Sequence, residues 1–114
     1  SVAPGWQMTP APVKAAVAPT SEWLQPGRDI SCDMADAIAR DAVSHTCEPL
    51  WAAERDDPHV QRALQIEPGS QVTRKHAFGR YTYMLFQQAL IVWRNEGDDG
   101  RIAVLSPHGC WRGL

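Results

Sequence analysis

Two matched tripeptides constrain this chain more than any other feature. His45-Thr46-Cys47 lies near the middle and His108-Gly109-Cys110 near the end, and together they hold two of the three cysteines. The stretch between Cys32 and Cys47 reads as a helix. At about 1.5 Å per residue its two ends stand about 22 Å apart, whereas a disulfide tolerates only about 4.4–6.8 Å between Cα atoms. Cys32 and Cys47 therefore cannot join across a continuous helix, and a disulfide must involve Cys110. The expectation is Cys47–Cys110, which closes a loop of roughly 60 residues and stabilises by roughly 4 kcal/mol in the chain-entropy picture. Cys32–Cys110 is the competitor, and three unpaired thiols are a further alternative. Any single disulfide leaves an odd thiol.

A zinc reading of the same tripeptides uses His45, Cys47, His108 and Cys110, because residues i and i+2 of an extended segment point the same way. The one-residue gap is shorter than the usual spacing of paired zinc cysteines and weighs against it. A disulfide places the protein in an oxidising compartment, outside the cytosol.

The apolar pattern changes period along the chain. Ile30, Met34, Ile38 and Ala42, with Ala35, Ala39 and Val43 beside them, form one helical stripe. Ser31 or Asp29 caps it, and it ends near Ser44. Asp57-Pro58 is an N-cap followed by proline at the first helical position, which starts a second helix reaching about Gln65. Glu67-Pro68-Gly69-Ser70 stops that helix. From Gln71 the pattern turns to strands over 72–78, 81–86, 89–94 and 101–105, with Gln87-Gln88 as a turn or polar interruption and Asn95 to Gly100 as a loop. The expected fold is α+β, with two N-terminal helices packed on a three- to four-stranded antiparallel meander.

A length of 114 residues sets one folded unit. Pro4, Pro10, Pro12 and Pro19 among alanines and valines make residues 1–22 a flexible tether, leaving 23–114 as the single globular domain. A formal net charge of −2 argues against nucleic acid as a partner. No segment approaches the roughly 18 apolar residues of a membrane-spanning helix, so membrane association is expected only through a removed anchor or signal. Motif inspection finds no glycine-rich phosphate loop, no G-x-S-x-G and no H-E-x-x-H. No catalytic residue, metal ligand or cofactor is assigned, and the reading leans away from an enzyme.

The surface residues are more informative. Arg74, Arg80, Tyr81 and Tyr83 bunch around the first strands, while Trp93, Arg94, Arg101, Trp111 and Arg112 belong to or flank the later ones. Arginine mixed with tyrosine and tryptophan on a sheet face makes a binding surface for an anionic or polar polymer, or for a protein. Trp51 and Trp93 also suit the core, because tryptophan carries the largest apolar payload.

Residues 86–111 follow an aromatic-rich order: Phe86, Ala89, Ile91, Trp93 and Arg94, then a turn, then Ile102, Val104 and Leu105, then Gly109 and Trp111. This order resembles small exported bacterial envelope modules, the LGFP-type and related aromatic-rich repeats, with Ala89 and Ile91 standing in place of glycine and methionine. The resemblance implies an exported, envelope-associated, non-enzymatic module. The functional expectation is a periplasmic, cell-envelope or secreted bacterial binding protein that recognises an envelope polymer or a protein partner. A secreted inhibitor or immunity protein, with the 95–100 loop as its plug, is the alternative. A His/Cys zinc module or small cysteine enzyme comes after it.

Overall fold

A computed structural model describes residues 23–50 and 52–110. The 1–22 tether, Trp51, Trp111 and Arg112 lie outside the described residues. The architecture is α+β: two helices and a four-stranded antiparallel sheet. Helix α1 spans Cys32–Val43 and α2 spans Pro58–Leu64, with a 3₁₀ turn at Ala52–Asp56 between them. The strands are β1 (His76–Phe78), β2 (Tyr81–Leu85), β3 (Leu90–Arg94) and β4 (Ala103–Leu105), in the meander order β1-β2-β3-β4. The helices therefore fall at 32–64, in the middle of the chain and ahead of every strand, rather than at its N-terminus. No helix among the described residues is long and apolar enough to cross a membrane.

Local sequence explains the element ends. Ser31 caps α1 by accepting a hydrogen bond from the Met34 N–H at 3.1 Å, which satisfies one of the donors a helix N-terminus leaves free. Asp57 does the same for α2 through the His59 N–H at 2.8 Å, with Pro58 at the first helical position. The Gln87-Gln88 pair is the tip of the β2–β3 hairpin. Its backbone N–H groups donate to the carbonyls of Ser70 and Pro68, both at 2.9 Å.

The first strand is shorter than the alternation over 72–78 implies. Val72 and Thr73 N–H groups both turn to the Leu85 carbonyl, the Arg74 N–H donates to the Glu48 carboxylate, and the Lys75 N–H donates to Glu54 at 2.8 Å. Acidic side chains from the preceding segment thus take the donors that a longer ladder would have used.

Both faces of the sheet are covered. On one side Met84, Phe86, Ile91, Trp93, Ile102 and Val104 pack with Val60, Ala63 and Ile66 of the α2 region. On the other, Tyr83, Leu85, Leu90, Val92, Ala103 and Leu105 pack with Ala35, Ile38, Ala39 and Ala42 of α1. This is why Leu90 to Trp93 is a continuous apolar run. A strand buried on both faces has no polar side to present, so its residues do not alternate. Trp23 and Leu24 extend the sheet edge, with the Leu24 N–H donating to the Ile102 carbonyl at 2.7 Å.

The chain after β4 docks on the first turns of α1. The Cys110 N–H donates to Asp36 Oδ1 at 2.9 Å, and Cys110 is bonded to Cys32 with Cα atoms 5.1 Å apart. The expected Cys47–Cys110 disulfide is thereby corrected. Cys47, just past the far end of α1, is free and exposed. Gly109 makes the docking possible. It has φ +108°, and a Cβ there would stand 2.9 Å from Asp36 Cα and closer still to its carboxylate. Gly109→Ala is expected to lower stability by about 2–3 kcal/mol through combined backbone strain and overpacking, read as a drop in the urea midpoint. An unchanged midpoint would mean that the segment does not sit against Asp36.

Candidate functional site

The sequence-derived surface residues do not share one face. Tyr83 is fully buried beneath α1, with its hydroxyl donating to Asp41 Oδ2 at 2.6 Å. Burial, reinforced by the Asp41 carboxylate, pushes this phenol far above its ordinary value. Trp93 is buried on the opposite face. Both leave the proposed binding surface for the core, because side chains of neighbouring parity in a two-sided sheet enter different cores. Arg74 pairs with Glu54, its Nε 3.3 Å from Oε1. Arg80 is exposed in the β1–β2 turn.

Three of the expected residues do converge. Tyr81 and Arg94 are cross-strand partners, and Arg101 precedes β4 on the same face. All three meet Asp29, which lies just ahead of α1. Arg94 Nη2 is 3.7 Å from Asp29 Oδ1 and Arg101 Nη1 is 4.0 Å from Oδ2. The Tyr81 hydroxyl donates to the Asp29 carbonyl at 3.4 Å. Arg28 adds a third guanidinium at 3.2 Å. The Gln25 N–H donates to Asp29 at 2.7 Å. That hydrogen bond, with burial opposing it and the Arg28 hydrogen bond and the Arg28 and Arg101 charges reinforcing it, holds the Asp29 carboxyl below its usual value. Arg28 and Asp29 carry no sequence signal as a site. Asp29 reads as a helix cap, and only the return of β3 and β4 brings the other arginines to it.

Two histidine–carboxylate clusters also form, and neither carries a signal as a cluster in the sequence. At the C-terminal end of α1, His76 Nε2 on β1 is 2.7 and 2.9 Å from the two Glu48 oxygens. His45 Nδ1 is 3.4 Å from Glu48 Oε2 and its Nε2 is 3.8 Å from Asp41 Oδ2. The His45 and His76 rings stack with centroids 3.8 Å apart. Burial raises the Glu48 carboxyl, but hydrogen bonds from the Arg74 N–H and His76 outweigh it, and the group sits below its usual value. The zinc tetrad of His45, Cys47, His108 and Cys110 is excluded by the Cys32–Cys110 bond, which removes one of its thiolates.

The second cluster is a clamp. His59 stacks on Trp93 at 4.7 Å with rings nearly parallel. Its Nδ1 is 2.7 Å from Asp57 and its Nε2 is 2.8 Å from Asp98. It thus ties the start of α2 to the 95–100 loop. Lys75 Nζ caps Asp57 at 2.8 Å.

For Asp57 and Asp98 burial raises the carboxyl, but donors outweigh it: Lys75 and His59 for Asp57, the His59 ring and the Gly100 N–H for Asp98. Both sit below their unfolded values. In that window the unfolded chain binds more protons than the native one. Their contribution is present in full above the usual aspartate range and is lost as pH falls through the depressed values. The urea midpoint is expected to decline steadily from about pH 5 to about pH 2, with a shallower slope in Asp98→Asn. Equal slopes would remove the clamp from the acid response.

No protein-family model, curated protein or solved structure matches this chain. Fold and side-chain geometry define a disulfide-tied α+β domain with an arginine–tyrosine corner at one end of α1 and a histidine–carboxylate cluster at the other. The Cys32–Cys110 bond is compatible with an oxidising, exported location.

Proposed function

We propose that this chain is an exported, non-enzymatic binding module whose Arg28–Tyr81–Arg94–Arg101 corner takes an anionic group of a cell-envelope polymer. The observation that carries the reading is the gathering of three guanidiniums on one carboxylate. Each guanidinium offers five N–H donors. Asp29 already accepts from Gln25, and Asp99 serves Arg101 alone at 2.7 Å. Even with the Trp23 carbonyl, which accepts from Arg101 Nη1 at 3.4 Å, the donors outnumber these acceptors. Two of the three contacts to Asp29, at 3.7 and 4.0 Å, are longer than hydrogen bonds. An incoming carboxylate or phosphodiester would use these donors in the bidentate manner for which arginine is suited.

The test is retention of the purified, oxidised protein on an anionic envelope polysaccharide against a neutral one. Retention should weaken with salt and fall at least about tenfold in Arg94→Glu/Arg101→Glu. Equal retention on both polymers, or none, would end this reading.

The inhibitor reading has its own observation. The 95–100 loop is largely exposed yet braced through Asp98–His59 and Asp99–Arg101, and a preorganised loop loses little entropy on docking. Capture of a secreted hydrolase that depends on residues 95–100 and not on Arg94 would favour it.

A further inference from the structure

We propose that His45, Glu48 and His76 form a binding site for a borderline-soft divalent metal ion, with Zn²⁺ as the reference ion. The site lies at the opposite end of α1 from the arginine corner and does not depend on that reading. Each of the three residues offers a ligand atom, and these atoms all lie within 4.8 Å of one another. Two imidazole nitrogens and a carboxylate are a donor set that zinc accepts with one position left open. Zinc bonds of about 2.0–2.2 Å at tetrahedral angles place donor atoms roughly 3.3–3.5 Å apart. His45 Nδ1 and Glu48 Oε2 already stand at 3.4 Å. His76 Nε2, now 2.9 Å from the same oxygen, must retreat by about half an ångström, and the stacked His45 and His76 rings, 19° from parallel, must turn apart so that both nitrogen lone pairs point at the ion. What changes chemically is modest: the ion takes the place of the hydrogen bond that His76 and Glu48 share, and any displaced proton leaves to solvent.

The surroundings support the ligands as an outer shell does. Asp41 Oδ2 stands 3.8 Å from the other nitrogen of His45 and is itself fixed by the buried Tyr83 hydroxyl at 2.6 Å. The Arg74 N–H holds Glu48 Oε1, leaving Oε2 for the ion. Such partners set the orientation of ligating imidazoles and carboxylates. Asp41 and Glu48 together carry two negative charges to meet the two positive ones. The side chains of His45, Glu48 and His76 are 34%, 17% and 24% exposed, so an ion can reach them from solvent. The Asp57–His59–Asp98 cluster lacks this character, because the Lys75 ammonium sits 2.8 Å from Asp57 and repels a cation. Nitrogen donors select zinc and its transition-metal neighbours over Mg²⁺ and Ca²⁺, which prefer all-oxygen sites.

The experiment is calorimetric titration of ZnCl₂, and separately MgCl₂, into the untagged, oxidised full chain, together with imidazole NMR of the same samples. We expect one zinc per chain and no magnesium binding. The His45 and His76 ring signals should move while those of His59 and His108 stay in place. His76→Ala should weaken zinc by about 100-fold or more, whereas His59→Ala and Cys47→Ser should leave it unchanged. The ring signals of the unaltered protein keep the test decisive even if the His76 variant fails to fold. Absence of stoichiometric zinc binding would overturn the proposal. So would zinc moving His59 or His108 instead, or affinity that follows Cys47 and not His76.

Discussion

Trp93→Ala is expected to cost about 3–5 kcal/mol, the range for truncating a large buried aromatic. Trp93 is only 4% exposed and lies on β3, an interior strand of the sheet, among Val60, Ile91, Ile102 and Val104. It also carries the His59 ring on its face. The substitution therefore opens a cavity and unseats the clamp between α2 and the 95–100 loop. Against a typical total of about 5–15 kcal/mol, the loss brings a domain of this size close to unfolding, and the melting temperature should fall by on the order of 15 °C or more. Trp93→Phe should retain most of the stability, because a ring remains to fill the space. Chemical denaturation of the three proteins decides the matter. An unchanged midpoint for the alanine variant would place Trp93 at the surface and restore it to the binding residues.

Cys32→Ser is expected to be nearly as costly. The bond to Cys110 spans a sequence separation of 78 residues, and removing such a link from a small domain costs about 2–5 kcal/mol. Cys110→Ser should behave alike, and reduction of the unaltered protein should reproduce the loss. Cys47→Ser should change stability by no more than about 0.5 kcal/mol, as for other exposed side chains. Alkylation of the oxidised protein should label Cys47 alone. The reverse pattern, with Cys47→Ser damaging and Cys32→Ser neutral, would re-establish the pairing inferred from the matched tripeptides. The comparison separates two readings of His108-Gly109-Cys110. As half of a metal or disulfide motif with residues 45–47, its glycine is incidental. As the docking segment on Asp36, its glycine is required by a close approach and a positive φ.

Local signals carried the elements well. Ser31, Asp57 and Pro58 mark both helix starts because capping depends on residues within one turn. The four strands fall within the runs of branched and aromatic residues, in meander order, because short antiparallel connections join neighbours. Strand β1 is shorter than its alternation implies because the carboxylates that divert the Arg74 and Lys75 donors come from Glu48 and Glu54, far back in the chain. The candidate sites were less legible. Tyr81, Arg94 and Arg101 were marked as binding residues, but their meeting point, Asp29, looked like a helix cap. In the sequence His45 stands out only within its tripeptide, as a zinc-ligand candidate beside Cys47, while Glu48 and His59 carry no site signal.

The α+β class, the start of the second helix, the succession of strands and the impossibility of a Cys32–Cys47 bond across a continuous helix were legible in the residues alone, since each follows from residue periodicity, capping chemistry or the rise of a helix. The choice between Ser31 and Asp29 as cap, the cysteine that Cys110 meets, the covering of both sheet faces and the entry of Tyr83 and Trp93 into opposite cores are set by the path of the folded chain. It alone assembled the arginine corner and the His45–Glu48–His76 cluster at the two ends of α1. Apart from the local Arg28–Asp29 and His45–Glu48 contacts, the site and disulfide pairings join residues such as Glu48 and His76, 28 positions apart, and Cys32 and Cys110, 78 apart, whose encounter is set by the path of the whole chain and leaves no mark in any local window.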